Sequence, residues 1–222
     1  MLDCREAPAV VYRQGNVYIM GGKFVFRTCE RYSLERDTWK NFASLIEGRH
    51  NATATLMHGD DYIYCIGGFP EWDVGQSFER FSFETETWEK IHFKFPVKMI
   101  NPGIFPLDDT RIGLLAGRYT SSVYILEVTE YNDSEVYKLT EIEGFPHMIE
   151  CIYPMIYIKS KRICYMIIGR SGQDDPAVVT WPIRNFDRTP ILPPKEYERS
   201  LAIKEGEISK SSSRVLPTIF QP

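Results

Sequence analysis

Asn16-Val17-Tyr18-Ile19-Met20-Gly21-Gly22 recurs as Asp61-Tyr62-Ile63-Tyr64-Cys65-Ile66-Gly67-Gly68. Downstream of the first copy stands Glu30-Arg31-Tyr32-Ser33-Leu34-Glu35-Arg36-Asp37-Thr38-Trp39, and downstream of the second Glu79-Arg80-Phe81-Ser82-Phe83-Glu84-Thr85-Glu86-Thr87-Trp88. Trp39 and Trp88 are 49 positions apart, and another 49 leads to Tyr137. Gly68 recurs at the same distance as Gly117, in Leu114-Leu115-Ala116-Gly117, and a fourth, looser copy is Tyr165-Met166-Ile167-Ile168-Gly169. Self-similarity at a period of roughly 45–50 residues marks a repeat architecture, in which each unit buries its apolar faces only against its neighbours.

Each unit reads as strands. Ahead of every glycine site lie two short apolar runs joined by a turn: Gln14-Gly15-Asn16, His58-Gly59-Asp60-Asp61, Leu107-Asp108-Asp109-Thr110 and Lys159-Ser160-Lys161. Gly, Asn and Asp tolerate the left-handed angles of tight hairpins. After the glycine comes a variable loop, then an alternating strand with Tyr32 and Leu34 on one face and Arg31 and Ser33 on the other; Phe81 and Phe83 alternate with Arg80 and Ser82 in the same way. A polar turn leads into a strand that starts at the Trp. Four antiparallel strands per unit make a propeller blade. The second strand of each unit is expected nearest the crowded centre, with Gly at its end permitting close backbone approach.

Gly21-Gly22, the aromatic Tyr32 and Trp39 seven positions on resemble the kelch repeat, as do Gly67-Gly68, Phe81 and Trp88. Arg49 fits that family's basic residue between blades, whereas Ser33-Leu34 and Ser82-Phe83 stand where the family usually carries Asp-Pro. The match is strong over residues 7–90. It weakens towards 140, where Ala116 replaces the first Gly and Tyr137 the Trp, and is weakest beyond. The resemblance implies an all-β, kelch-type propeller, here of about four four-stranded blades, small, open or part of a longer ring. The expected domain is 1–205, with blades about 7–48, 49–98, 99–147 and 148–198, and a Ser- and Lys-rich flexible tail at 206–222. A fifth unit's first strand, starting at Arg199, is a further expectation. Gly21, Gly22, Trp39, Gly67, Gly68, Trp88 and Gly117 are read as structural.

Composition narrows the function. Lys plus Arg is 26 and Asp plus Glu is 30, for a net charge of −4 over 222 residues, which gives no global attraction to nucleic acid or to an acidic membrane. No apolar run approaches the roughly 20 residues of a membrane helix. The first residues lack the basic-then-apolar pattern of a secretion signal. Five cysteines, without a CxxC, suit a reduced compartment, with Cys65 and Cys164 as small core residues. A cytoplasmic protein is expected.

Catalytic motifs are lacking. Gly21-Gly22-Lys23 is followed by Phe24 rather than Ser or Thr, so it is no phosphate-binding P-loop. The four histidines are scattered, and the pairs Asp60-Asp61 and Asp108-Asp109 fall in hairpin turns, which explains them without a metal. No cofactor and no enzymatic activity are expected. A binding scaffold remains, because loops on a rigid frame carry function. The loops after each glycine and between blades supply Lys23, Arg27, Arg49, Trp72, Arg118, Tyr119 and Arg170, an Arg-and-aromatic mixture typical of interface anchors. By family resemblance the partners would be proteins, as in substrate recognition for a ubiquitin ligase or in actin and cytoskeletal scaffolding. An open propeller edge would also invite self-association. The alternatives are an enzyme or small-ligand site at the channel, and a non-autonomous fragment.

Overall fold

A computed structural model of the chain describes residues 1–69, 74–115, 122–131, 134–142, 150–151, 156–158, 163–169, 177–182 and 195–198. The strands from residue 150 onward are described by their backbone pairing.

The first sheet is β1 (Ala9–Arg13), β2 (Asn16–Met20), β3 (Cys29–Ser33) and β4 (Thr38–Phe42), paired in chain order. The second repeats it with β5 (Thr53–Met57), β6 (Tyr62–Ile66), β7 (Phe78–Ser82) and β8 (Thr87–Lys90). The third has β9 (Gly103–Pro106), β10 (Arg111–Leu115), β11 (Val123–Tyr131) and β12 (Ser134–Ile142). The fourth holds β13 (Glu150–Cys151), β14 (Ile156–Ile158), β15 (Ile163–Gly169) and β16 (Ala177–Pro182), and β17 (Lys195–Glu198) pairs along the outer edge of β12. Every strand pair is antiparallel. These are the expected blades of an all-β propeller.

The order from the centre outward differs from the sequence expectation. Successive blades meet through β1 and β5, β5 and β9, and β9 and β14. The first strand of each unit is therefore innermost, and the second lies one place further out. In the fourth blade the first-strand region is split, because β13 and β14 both pair with β15. The expected fifth first strand from Arg199 lies outside the described residues, as does the tail.

The turns form where Gly, Asn and Asp predicted them. Arg13 pairs with Asn16 around Gln14 and Gly15, both at positive φ (44° and 76°), which matches the twist of the flanking strands. Asp108 closes the β9–β10 turn by accepting from the backbone N–H groups of Thr110 and Arg111 at 3.1 and 2.8 Å. That is a local turn contact of the kind Asp favours. The turn at 159–161 falls outside the described residues.

The core sits between blades. Ala9, Val11, Tyr18, Met20 and Cys29 of the first blade pack on Ala54, Ile63, Cys65, Phe81 and Trp88 of the second. The other face of the second blade, with Tyr64, Ile66 and Phe78, packs on Ile112, Leu114, Tyr124, Leu126, Tyr137 and Leu139 of the third. Alternating side chains serve two interfaces at once, so the middle blade is apolar on both faces. Burial pushes the Cys29 thiol up to about 12 and raises that of Cys65 further, whereas Cys4 is exposed.

Trp88 is buried at the first interface, edged by Phe42 and Phe81, and its indole N–H donates to the Ala43 carbonyl at 2.8 Å. Its counterpart Trp39 is only half-buried and leans on Tyr32, on the face of blade one turned away from blade two. Tyr137 does not occupy the same place. Phe81 pairs with Trp88, whereas the corresponding Leu126 pairs with Leu139, two residues beyond Tyr137. Trp88→Ala is expected to cost about 3–5 kcal/mol, and Trp39→Ala less than half as much, read by denaturant unfolding. Equal losses would contradict the burial difference.

Candidate functional site

Antiparallel pairing brings the loop after the second strand and the loop between blades to one end of the sheets. Residues 21–28 and 43–52 share that end with residues 67–69 and 74–77. In the first two blades a recurring charged device sets their conformations.

Arg5 and Arg49 each lie four residues ahead of an inner strand, β1 or β5. Both guanidinium groups are fully buried, and each is paired with a fully buried carboxylate, Glu30 or Glu79. Glu30 sits opposite Ile19 and Glu79 opposite Cys65, at the second position of β3 and β7. The remaining donors clamp the ends of the following loop. Arg5 Nη1 donates to the carbonyls of Gly21 (2.7 Å) and Thr28 (2.9 Å), at the two ends of the loop in blade one. Arg49 Nη1 donates to those of Gly67 (2.7 Å) and Ser77 (3.4 Å), at the two ends of the loop in blade two. Arg supplies five donors in a fixed fork, which suits a site that must satisfy a carboxylate and several carbonyls together.

The carboxylates are tied down as well. Glu79 accepts from the backbone N–H groups of Ile46 (2.7 Å) and Glu47 (3.3 Å), which fixes the inter-blade loop. Glu30 accepts from those of Leu2 (2.7 Å) and Asp3 (3.1 Å), which fixes the chain ahead of β1. Burial pushes the Glu30 carboxyl upward, but the two backbone donors and Arg5 outweigh it and hold Glu30 below its ordinary value. At Glu79 burial prevails and the carboxyl is held above its ordinary value, against the pull of Arg49. Burial also opposes, without overcoming, the bonds from Lys90 and Ser77 that hold Glu47 low.

In blade three the same stations carry Met99, four residues ahead of β9, and Tyr124, opposite Leu114 in β11; both are buried in the apolar core. An ion pair in two blades gives way to an apolar pair in the third. Such an exchange is close to neutral when both partners change together.

Arg49, expected on the partner-binding face, is therefore a correction: it is an interior clamp. Lys23 and Arg27 are exposed on the loop after β2. Lys23 pairs with Glu6 at 3.4 Å and lies over the Phe24 ring at 5.4 Å. Phe24 is 70% exposed and Phe69, on the loop of the next blade, 44%. His50 sits between Phe26 and Phe69, with ring centroids at 5.6 and 5.8 Å, so an aromatic row crosses from blade one to blade two. Trp72, Gly117, Arg118, Tyr119 and Arg170 lie outside the described residues. Among the described residues no group of His, Cys, Asp and Glu could hold a metal ion, and no helix is long and apolar enough to cross a membrane.

The clamp residues Arg5, Glu30 and Glu79 escaped the sequence reading. Their signal was available in part: a Glu recurs 49 positions apart, with an Arg 25 residues ahead of Glu30 and another 30 residues ahead of Glu79.

Residues 50–91, spanning the second blade, match the family model described as the kelch motif. That stretch carries a kelch motif. A RING finger domain and kelch repeat-containing protein of Dictyostelium discoideum is 35% identical over 75 residues. That match covers 34% of this chain and 7% of the relative, so the chain spans a small part of that protein's length. The solved structure of YjhT superposes with a TM-score of 0.58 at 14% identity, over 73% of this chain and 58% of that one. At that identity the likeness bears on the fold alone.

Arg49→Met alone strands the Glu79 carboxylate in the interior and is expected to cost about 3–5 kcal/mol. The double variant Arg49→Met, Glu79→Leu is expected to recover part of that loss, giving a coupling of about 1–3 kcal/mol in a denaturant double-mutant cycle. Additive losses would remove the clamp from the account.

Proposed function

We propose that these kelch repeats form a protein-interaction module, without catalysis, whose working face is the loop end of the blades. The observation that carries the reading is Phe24. It is 70% exposed, and its backbone sits at φ 78°, a region where bulky L-residues are rare. Such strain is on the order of 1–3 kcal/mol and persists where the surroundings over-determine it. Here the Lys23 N–H donates to the Glu6 carbonyl at 2.7 Å, the Val25 N–H donates to Gly22, and Arg5 grips both loop ends. A large apolar ring is thus held out in water by a rigid frame, flanked by Lys23 and Arg27. Preorganised aromatics beside cations favour protein partners, since little ordering entropy remains to be lost on docking.

Trp72, Arg118, Tyr119 and Arg170, which follow the repeat's glycines in the sequence, are proposed as further contacts of the same partner. Among partner classes, substrate recognition for a ubiquitin ligase is favoured over a cytoskeletal role, because the Dictyostelium relative's name couples a RING finger with kelch repeats.

The test is capture from cell extract with the wild-type chain and with a Phe24→Ala, Trp72→Ala variant of matched melting temperature. A discrete set of proteins held by the wild type and lost from the variant is expected, with ligase subunits in it and actin absent. Identical sets from both chains would remove the loop face from the account, and actin as the main captured protein would replace the ligase role.

A further inference from the structure

The opposite end of the first blade carries a second feature that the loop face does not use. Around the β3–β4 hairpin a cavity of about 220 Å³ is lined by Arg31, Arg36 and Lys40 together with Ser33, Thr38, Asn16 and Glu35. Three cations therefore face one carboxylate. Among the described residues none of the three cationic side chains takes part in an ion pair.

Comparison within the molecule makes this arrangement unusual. Arg31 and Lys40 are directly cross-strand partners, and like charges directly opposite one another disfavour strand pairing. In blade two the same two positions are Arg80 and Glu89. There Arg80 donates from Nε and Nη2 to one Glu89 oxygen at 3.0 and 2.8 Å. The repeat's built-in solution is an ion pair, and blade one has a lysine in place of the acid. The hydroxyls of the cross-strand pair Ser33 and Thr38 lie beside the two cations. Arg36 lines the cavity from the turn, where its backbone N–H donates to Ser33 Oγ at 3.3 Å.

Donors so outnumber acceptors that the cavity is complementary to a multiply charged oxyanion, which Arg and Lys grip through charge-assisted hydrogen bonds. We propose that this cavity binds a phosphoryl dianion, which supplies the negative charge that Glu89 supplies in blade two. A phosphorylated side chain of a partner protein and a free phosphate present the same chemistry. The site lies at the far end of the blade from Phe24, so it stands or falls separately from the loop-face reading.

The decisive variant is Lys40→Glu, which restores the charge pattern of blade two and should leave the chain at least as stable as the wild type. The whole chain and this variant are titrated calorimetrically with inorganic phosphate and with a short phosphoserine peptide, ionic strength being held constant with chloride. Saturable binding of both probes by the wild type is expected, weakened at least tenfold by Lys40→Glu. Arg31→Gln should weaken binding in the same direction. Peptide binding at least tenfold tighter than phosphate assigns the site to a phosphorylated partner; equal affinities assign it to free phosphate. No saturable binding of either probe, or equal binding by a folded Lys40→Glu variant, overturns the proposal.

Discussion

The blades are spaced by one backbone contact that tolerates no side chain. Gly22 donates its N–H to the Arg49 carbonyl at 2.9 Å, and Gly68 donates to the Met99 carbonyl at 2.8 Å. The glycine ahead of each, Gly21 or Gly67, lies so close to the same carbonyl that an added Cβ would stand 2.2 or 2.0 Å from the oxygen. Both also have left-handed backbones, at φ 59° and 68°. The end of each second strand is thereby bonded to the entry of the following blade. With that distance set, the apolar layers between blades pack at van der Waals contact.

The buried Arg–Glu pairs build on the same contact. Arg49 receives the inter-blade hydrogen bond on its carbonyl and clamps the next loop with its side chain, so one residue links two blades and the loop between them. Burying two full charges is costly, and attraction offsets that cost only when the remaining hydrogen bonds are made. Here Gly67, Ser77, Ile46 and Glu47 make them. The exposed residues of the loop face inherit this rigidity: the loop after β2 begins and ends at carbonyls gripped by Arg5. In blade three, Met99 and Tyr124 keep the packing without the clamp.

Much of the fold was legible because turn chemistry is local. The residues Gln14-Gly15-Asn16 and His58-Gly59-Asp60-Asp61 announced hairpins, and the recurrence of Gly-Gly and Trp set the blade period. Radial order was not legible. Val10-Val11-Tyr12 and Val17-Tyr18-Ile19-Met20 are equally apolar runs, and which lies innermost depends on contacts between blades. The fixed period misplaced Tyr137 because β11 and β12 are nine residues each, against five and four for β7 and β8. Arg49 read as a surface residue because an isolated cation beside a loop usually is one; only its pairing with Glu79, thirty positions away, places it inside. The basic cavity needed pairing information too, since the contrast between Lys40 and Glu89 has meaning only once the two are known to occupy the same cross-strand position.

The stability of Gly67→Ala compared with that of Gly59→Ala tests the spacing contact most directly. Both glycines have left-handed backbones, at φ 68° and 65°, but an added Cβ at Gly59 meets nothing within 4 Å. Gly59→Ala should therefore lose only the conformational cost, about 1–2 kcal/mol. Gly67→Ala should lose that and about 1–3 kcal/mol more, as forced overpacking does, or fail to unfold cooperatively. Equal losses in the two variants would mean that the close approach of Gly67 to Met99 does not set the spacing of the blades.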